Sequence, residues 1–475
     1  MIKQVANFCR QIIQSPLRSA FLLGGAVWLI EIYSFIRYPN ILGIDPYVRL
    51  VNHDYFLVQH WLPGLQFIIK TVVTFEHSGQ LLLFLLTIFS ALTVVAFYLM
   101  CRKLLNDNTV AFFSALVFGS MPIFLILSRM PYLEPLALLF LFLTIYFLES
   151  NRFYLASSSY FLACLMREEA WFLLPIFLWR LKDEGFSLND RRWWVFLFGP
   201  AVGILFVLWP LRAPFDPFIT TWSNLFPHPL LYFVLQTKEQ IISFLSANWA
   251  LVIAGGLGII EYVKENRQRR SYIFIFPVLF LIALIFRFTF GLYFPRHLFL
   301  AESFLIPFVF YHFSIFSKNY FNYIRTLFVV LFIIFSLLSF LTYLSPSPQS
   351  ALSIKNAEII PYKNFGYFLR DTLHSTDRVL SVYRKSTWGE SSLFMRSVFY
   401  SGYEMEDTYV PLSDDLVYSS NQLQRNLAEI KATYLLTDLI SDEAKLFVDT
   451  LVSQKIVVPI YTEQTTGLSL YRVER

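Results

Sequence analysis

Carboxylates and arginines recur in this sequence at points where an apolar chain has no packing use for them. Asp45 and Arg49 share the run Gly43-Ile44-Asp45-Pro46-Tyr47-Val48-Arg49, and Asp54 follows. Arg129 and Glu134 bracket Arg129-Met130-Pro131-Tyr132-Leu133-Glu134-Pro135; Arg167, Glu168 and Glu169 are consecutive; Arg296 and His297 follow Phe294-Pro295. An arginine fork matches the oxygens of a phosphate, and a carboxylate can take the proton of a hydroxyl or amine. Mixed together, the two suit a negatively charged headgroup beside a nucleophilic acceptor. Metal chemistry fits less well. His53, Asp54 and His60 match no standard ligand pair, and no cysteine or third clear ligand joins them, so no metal site is expected.

The rest of the chain makes these charges expensive. Of 475 residues, 56% are hydrophobic, 19% aromatic and only 15% charged, with 52 Phe. A soluble domain carries about 25% charged residues. Several stretches run about 18 residues or more almost without charge, enough to cross roughly 30 Å of hydrocarbon. Such a composition excludes a soluble enzyme, a nucleic-acid binder and a disordered scaffold. The net charge of +5 is uneven: residues 345–475 hold 13 Lys and Arg against 16 Asp and Glu, which leaves 25 against 17 for residues 1–344. Basic loops beside membrane spans account for that surplus without nucleic acid. An ionisable side chain at membrane depth costs about 2.5–3.5 kcal/mol on insertion scales, so each one needs a reason.

The elements that must position these groups are apolar spans at residues 19–37, 79–101, 109–127, 132–148, 193–211, 244–263, 271–290, 296–316 and 326–344. Residues 154–179 are ambiguous. As one helix they would place the later basic loops on the outer side. As two half-spans meeting at Arg167-Glu168-Glu169 they keep those loops cytoplasmic, and the hairpin is the preferred reading. Broken helices at membrane depth are tolerated where they line a protein cavity. The count is about 11 membrane segments. Basic residues at Arg18, Arg102-Lys103 and Arg152 put the N-terminus in the cytoplasm. Arg49, Arg129, Glu134, Arg167, Glu168, Arg296 and His297 then gather at the outer side, with Glu31, Arg287 and Glu302. The long outer loop 212–243 reads as an interfacial lid. From residue 345 a small α/β domain follows. Strands are expected at 378–383, 397–403, 432–438, 455–461 and 467–473, with helices at 413–431 and 441–453.

This arrangement resembles the GT-C superfamily of integral membrane glycosyltransferases, among them protein O-mannosyltransferases and lipid A aminoarabinose transferase. The matching pieces are the first outer loop with Asp45, His60-Trp61-Leu62-Pro63-Gly64, Arg129-x-x-x-x-Glu134, Leu165-Met166-Arg167-Glu168-Glu169-Ala170-Trp171, and Phe294-Pro295-Arg296-His297 with Pro307. The resemblance covers roughly residues 19–316 and implies an α-helical multi-pass catalytic domain, residues 1–344, with an extracytoplasmic domain, residues 345–475. It implies a polyprenyl-phosphate-linked sugar as donor, an extracytoplasmic lipid, glycan or protein acceptor, and inversion at the anomeric carbon. Asp45 becomes the candidate general base. Arg49, Arg129, Arg167, Glu168, Arg296 and His297 become candidate substrate contacts, while Glu134 orients an arginine or the acceptor. Pro46 stands where many relatives carry a second acidic residue, which leaves Asp54 as a rival base. No cofactor is expected, although relatives with pyrophosphate-linked donors use a divalent metal. The Trp-Trp-Asp motif of oligosaccharyltransferases is missing, since Trp193-Trp194 precedes Val195.

Plainer roles stand beside each of these. Asp45 could cap a loop helix, Arg129 and Glu134 could form an ion pair across a tight turn, and Arg296-His297 could anchor a helix at the interface. A transporter or lipid flippase with an appended outer domain is the rival class. It predicts charged stations through both halves of the bundle. The expected location is the inner (plasma) membrane of a bacterium or archaeon.

Overall fold

The computed structural model describes residues 13–38, 40, 45–51, 62–73, 78–186, 190–208, 251–290, 295–320, 351–383, 393–402, 408–413, 416–438 and 441–474. The chain divides into two units. The first comprises Met1–Pro39 and Tyr55–Ser345, the second Asn40–Asp54 and Pro346–Arg475.

The first unit is helical. Pro16 opens helix α1 (Pro16–Arg37), where a missing N–H costs nothing. Helix α2 (Asp45–Val51) belongs to the second unit. Then come α3 (Gly64–Val73), the 28-residue α4 (Ser78–Leu105) and α5 (Asn108–Ser120). Asp107 caps α5, accepting from the N–H groups of Thr109 at 2.7 Å and Val110 at 3.1 Å. Residues 109–127 were expected as one straight span, but the helix breaks. Proline disfavours a helical conformation in the residue before it, and Met121, ahead of Pro122, is extended. Helix α6 (Pro122–Arg129) restarts at 62° to α5.

Helix α7 (Leu133–Leu148) returns, and α8 (Phe153–Met166) has only 14 residues, short of the roughly 20 needed to span a bilayer. It stops at an extended Arg167, continues as a 3-10 turn over Glu168–Leu173, and reverses into α9 (Leu174–Asp183). The reversal is visible at the far ends. Phe153, opening α8, packs edge-on against Phe186, just past α9, at 4.7 Å, and Arg180 Nε reaches Glu149 Oε1 at 2.6 Å. Residues 154–179 are therefore a hairpin with its apex at residues 167–173.

After α10 (Arg191–Leu208), residues 251–265 form α11. A 3-10 stretch, Arg267–Phe274, occupies the start of the expected 271–290 span and leads into α12 (Ile275–Phe290). The unit's described part ends with α13 (Pro295–Ser303) and α14 (Ile306–Tyr320). Pro16–Arg37, Gly79–Leu105 and Leu298–Ile315 are long and apolar enough to cross a membrane, as is the bent pair α5–α6 taken together. The expected lid at 212–243 and span at 326–344 lie outside the described residues. Aromatic rings fill the interior: Phe97 stacks on Phe118 at 4.4 Å and meets Phe142 edge-on at 4.9 Å, and Phe142 meets Phe304 edge-on at 5.4 Å.

The second unit is α/β. Helix α15 (Ala351–Thr372) precedes β1 (Val379–Tyr383), then come α16 (Leu393–Ser401) and β2 (Tyr409–Ser413), α17 (Ser420–Glu429) and β3 (Tyr434–Asp438), α18 (Asp442–Ser453), and the pair β4 (Val457–Thr462) and β5 (Ser469–Val473). The sheet order is β2-β1-β3-β5-β4, parallel among the first three and antiparallel beyond. Leu380, Val382, Leu435 and Val457 of the sheet pack on Leu423, Leu427, Val448 and Leu451 of α17 and α18.

Four of the five expected strands form. The fifth, expected at 397–403, is helical instead over residues 397–401, because α16 turns this aromatic run against α15 and α2. The helix expected from residue 413 starts at Ser420, since Ser413 closes β2 and Ser419 is the cap, accepting from Gln422 N–H.

Candidate functional site

The hairpin apex concentrates charge inside the bundle. Because Arg167 is extended, its guanidinium turns back on its own loop. Nε donates to Glu169 Oε2 at 2.9 Å and Nη2 to Glu169 Oε1 at 2.5 Å, a two-pronged fork. Nη1 reaches Glu134 Oε1, at the start of α7, at 3.4 Å. All three side chains are buried, and Glu168 beside them is half-buried. The apex is braced from its own backbone. Trp171 Nε1 donates to the Cys164 carbonyl at 2.8 Å, and Tyr160 donates its hydroxyl proton to the Ala170 carbonyl at 2.9 Å. Cys164 lies in the last turn of α8, whose carbonyls lack helical partners, so the tryptophan caps it.

A second buried group lies on α1 and α6. Ser90 donates to Ser128 at 3.1 Å, and Ser128 donates to Glu31 Oε1 at 3.0 Å. Arg129, the next residue, is 1% exposed, with its guanidinium carbon 5.5 Å from the ring centre of Tyr38. The bend at Pro122 carries this end of the helix into the interior. Helix α13, which bears Arg296 and His297, packs on both α6 and α7. The structure thus brings the helices of Arg129, Glu134, Arg167, Arg296 and His297 together in one unit. Among the described residues no group of three or more His, Cys, Asp and Glu is placed to hold a metal.

Asp45 and Arg49 belong to the other unit. Asp45 is the first residue of α2 in the second unit, where Tyr47, Arg49, Leu50 and Val51 are buried. Asp54, His53 and His60 lie outside the described residues.

The opposite end of the bundle holds a network not foreseen from the sequence. Glu149 Oε1 accepts from Arg180 Nε at 2.6 Å and Tyr272 at 2.8 Å, and its Oε2 meets Arg269 Nε at 2.6 Å. Arg269 also donates to the carbonyls of Lys103 and Leu104. Buried charge is therefore not confined to one end. The signal was a glutamate closing an apolar run and a loop with three arginines at 267–270, which reads as ordinary loop charge until the loop packs.

No protein-family model and no curated protein matches the sequence. Solved structures do match the fold. ArnT from Cupriavidus metallidurans bound to undecaprenyl phosphate superposes with a TM-score of 0.56 at 12% identity, covering 95% of this chain and 97% of that one. The apo form of ArnT gives 0.54 at 11% identity over 96% and 98%. The apo oligosaccharyltransferase of Archaeoglobus fulgidus gives 0.50 at 12% over 96% and 74%. At such identities the likeness is one of fold: the chain shares its overall fold with these solved structures.

Proposed function

We propose that this protein is a membrane glycosyltransferase that moves a sugar from a polyprenyl-phosphate-linked donor to an extracytoplasmic lipid, glycan or protein acceptor. One observation carries the reading: the fold runs over nearly the whole length of ArnT, a protein solved with undecaprenyl phosphate bound. The buried Arg129 and Arg167, gathered near one end of the bundle with Glu134, supply cations for such a phosphate. In this reaction the acceptor's hydroxyl or amine attacks the anomeric carbon from the face opposite the leaving group. The bond to the phosphate oxygen breaks, the polyprenyl phosphate leaves with the bonding electrons, and Asp45 takes the acceptor's proton, inverting the anomeric centre. Arg129, Arg167 and Arg296 stabilise the charge growing on the leaving oxygens. Arg49, Glu168 and His297 contact substrate, and Glu134 holds Arg167. No cofactor is proposed. The Arg167 end faces outward, the N-terminus is cytoplasmic and the protein sits in the inner membrane.

The aromatic interior argues against a transporter. Between the Glu149 and Arg167 ends the described bundle is packed with Phe97, Phe118, Phe142 and Phe304. The hydroxyls nearby serve their own helices: Thr93, Ser114 and Thr144 each donate to a carbonyl four residues back. A conducting path needs polar stations that are not already engaged.

Reconstituted protein offered a panel of radiolabelled polyprenyl-phosphate sugars is expected to release sugar from one of them. Asp45→Asn should lower that turnover about 100-fold or more while undecaprenyl phosphate still binds. Turnover that survives moves the base to Asp54 or Glu134. Failure to bind undecaprenyl phosphate removes the transferase reading.

A further inference from the structure

The candidate base sits on a helix that the C-terminal domain holds. Helix α2 is only seven residues long and begins with Asp45. Isolated helices of this length are unstable in water, so its shape must come from packing. That packing is on α16 of the C-terminal domain. Tyr47 is fully buried, edge-on to Phe399 at 5.6 Å and tilted against Tyr400 at 5.9 Å, and the Tyr47 and Tyr400 hydroxyls share a hydrogen bond of 3.0 Å. Leu50 and Val51, three and four positions along, are buried as well, giving α2 one apolar face. Behind Tyr400 stands α15. Tyr367 meets it at 5.9 Å, and Lys363 Nζ lies 5.6 Å from its ring centre while bonding Asn40 Oδ1 at 3.1 Å. Both flanks of the outer-loop segment, Asn40 and Tyr47, are thereby fastened to α15 and α16.

We propose that α15 and α16 are the positioning element for the base: Tyr400 and Lys363 fix the helix that begins with Asp45, and through it the activity of the membrane domain. The C-terminal domain is then part of the catalytic apparatus rather than a separate acceptor-recognition module. This rests on the reading of Asp45 as base, and the experiment separates the two.

Hydrogen exchange on the full-length protein in nanodiscs is compared with turnover of the radiolabelled polyprenyl-phosphate sugar. Tyr400→Ala should speed amide exchange in residues 45–51 about tenfold or more while β1 and β3 keep wild-type protection. In the same variant kcat should fall about tenfold or more, with KM for the donor unchanged. Tyr400→Phe keeps the ring and should restore both readouts to within about threefold of wild type. Unchanged exchange at 45–51 overturns the inference. Faster exchange with unchanged kcat overturns it too, and Asp45→Asn assayed alongside shows which premise failed. If that variant is also active, Asp45 is not the base and the proposed function needs another; if it is inactive, the domain is only a neighbour of α2.

Discussion

Removing Arg167 would take away the buried guanidinium that pairs with both Glu134 and Glu169. Losing one partner of a buried pair costs about 3–5 kcal/mol, more than the pair itself contributes. Arg167→Ala should therefore melt well below wild type in detergent, and Glu169→Gln should recover part of the loss in the double variant. A coupling of about 1 kcal/mol or more between the two is expected; strictly additive losses would mean the fork does not form. Outside the membrane, Glu463 offers a pH test. Burial alone would raise its pKa, but hydrogen bonds from the Thr466 hydroxyl and N–H outweigh it and hold the carboxyl below its usual value. A group depressed on folding stabilises above its unfolded pKa and loses that contribution as pH falls through the folded one. Exchange protection of the β4–β5 hairpin should accordingly weaken below about pH 4 in wild type and stay flat in Glu463→Gln. An equal drop in both would assign the effect to another carboxylate. At this scale the sequence exposed Arg129, Glu134 and Arg167 because charge stands out in an apolar chain. It did not disclose that Glu169 rather than Glu168 takes the fork, since the 3-10 turn decides which of two adjacent glutamates faces Arg167.

Among the elements, the hairpin of α8 and α9 was legible because its alternative would have misplaced every later basic loop. The bend between α5 and α6 was not, although Pro122 stood in plain view. An apolar run hides a break whose cause is one proline's effect on the preceding residue. In the C-terminal domain, Phe399 and Tyr400 favour strands by propensity, yet packing against α15 and α2 makes them helical. Strand β2 escaped notice because Pro411 lies within it. The hairpin's seating makes its own prediction. A Cβ on Gly64 of α3 would lie 2.6 Å from Met166 Sδ and 2.7 Å from the Leu165 carbonyl, directly before Arg167. The sulfur can move, but the carbonyl belongs to the last turn of α8. Gly64→Ala should cost about 1–3 kcal/mol, read as a lower melting temperature. Gly25→Ala, where a Cβ meets nothing within 4 Å, should not. Equal melting of the two variants would show that α3 does not pack this tightly on α8.

For the whole molecule, the ion networks define two ends of the bundle, one at Glu149 with Arg180 and Arg269, the other at Arg167 with Glu134. Their sidedness is testable by labelling. In a background with Cys9, Cys101 and Cys164 replaced, Arg152→Cys and Arg270→Cys are exposed positions at the Glu149 end. Both should resist a membrane-impermeant maleimide in intact cells and react after permeabilisation. Ser375→Cys in the C-terminal domain should react at once. Labelling of Arg152→Cys and Arg270→Cys on opposite sides would break the hairpin topology. The sequence revealed the membrane class and the α/β tail through composition. It could not reveal that residues 40–54 cluster with the tail, because contacts between distant segments leave no local pattern.

That discontinuous domain sets an order of assembly. Tyr47 and Tyr400 are separated by 353 positions, so a growing chain exposes Tyr47, Leu50 and Val51 long before α16 exists to cover them. The seven-residue helix cannot hold itself together meanwhile. A nascent chain released after the last membrane helix would therefore carry a formed bundle with its candidate base on an unstructured loop. Under the proposed function, synthesis of α16 then becomes the step that orders the helix bearing the candidate base.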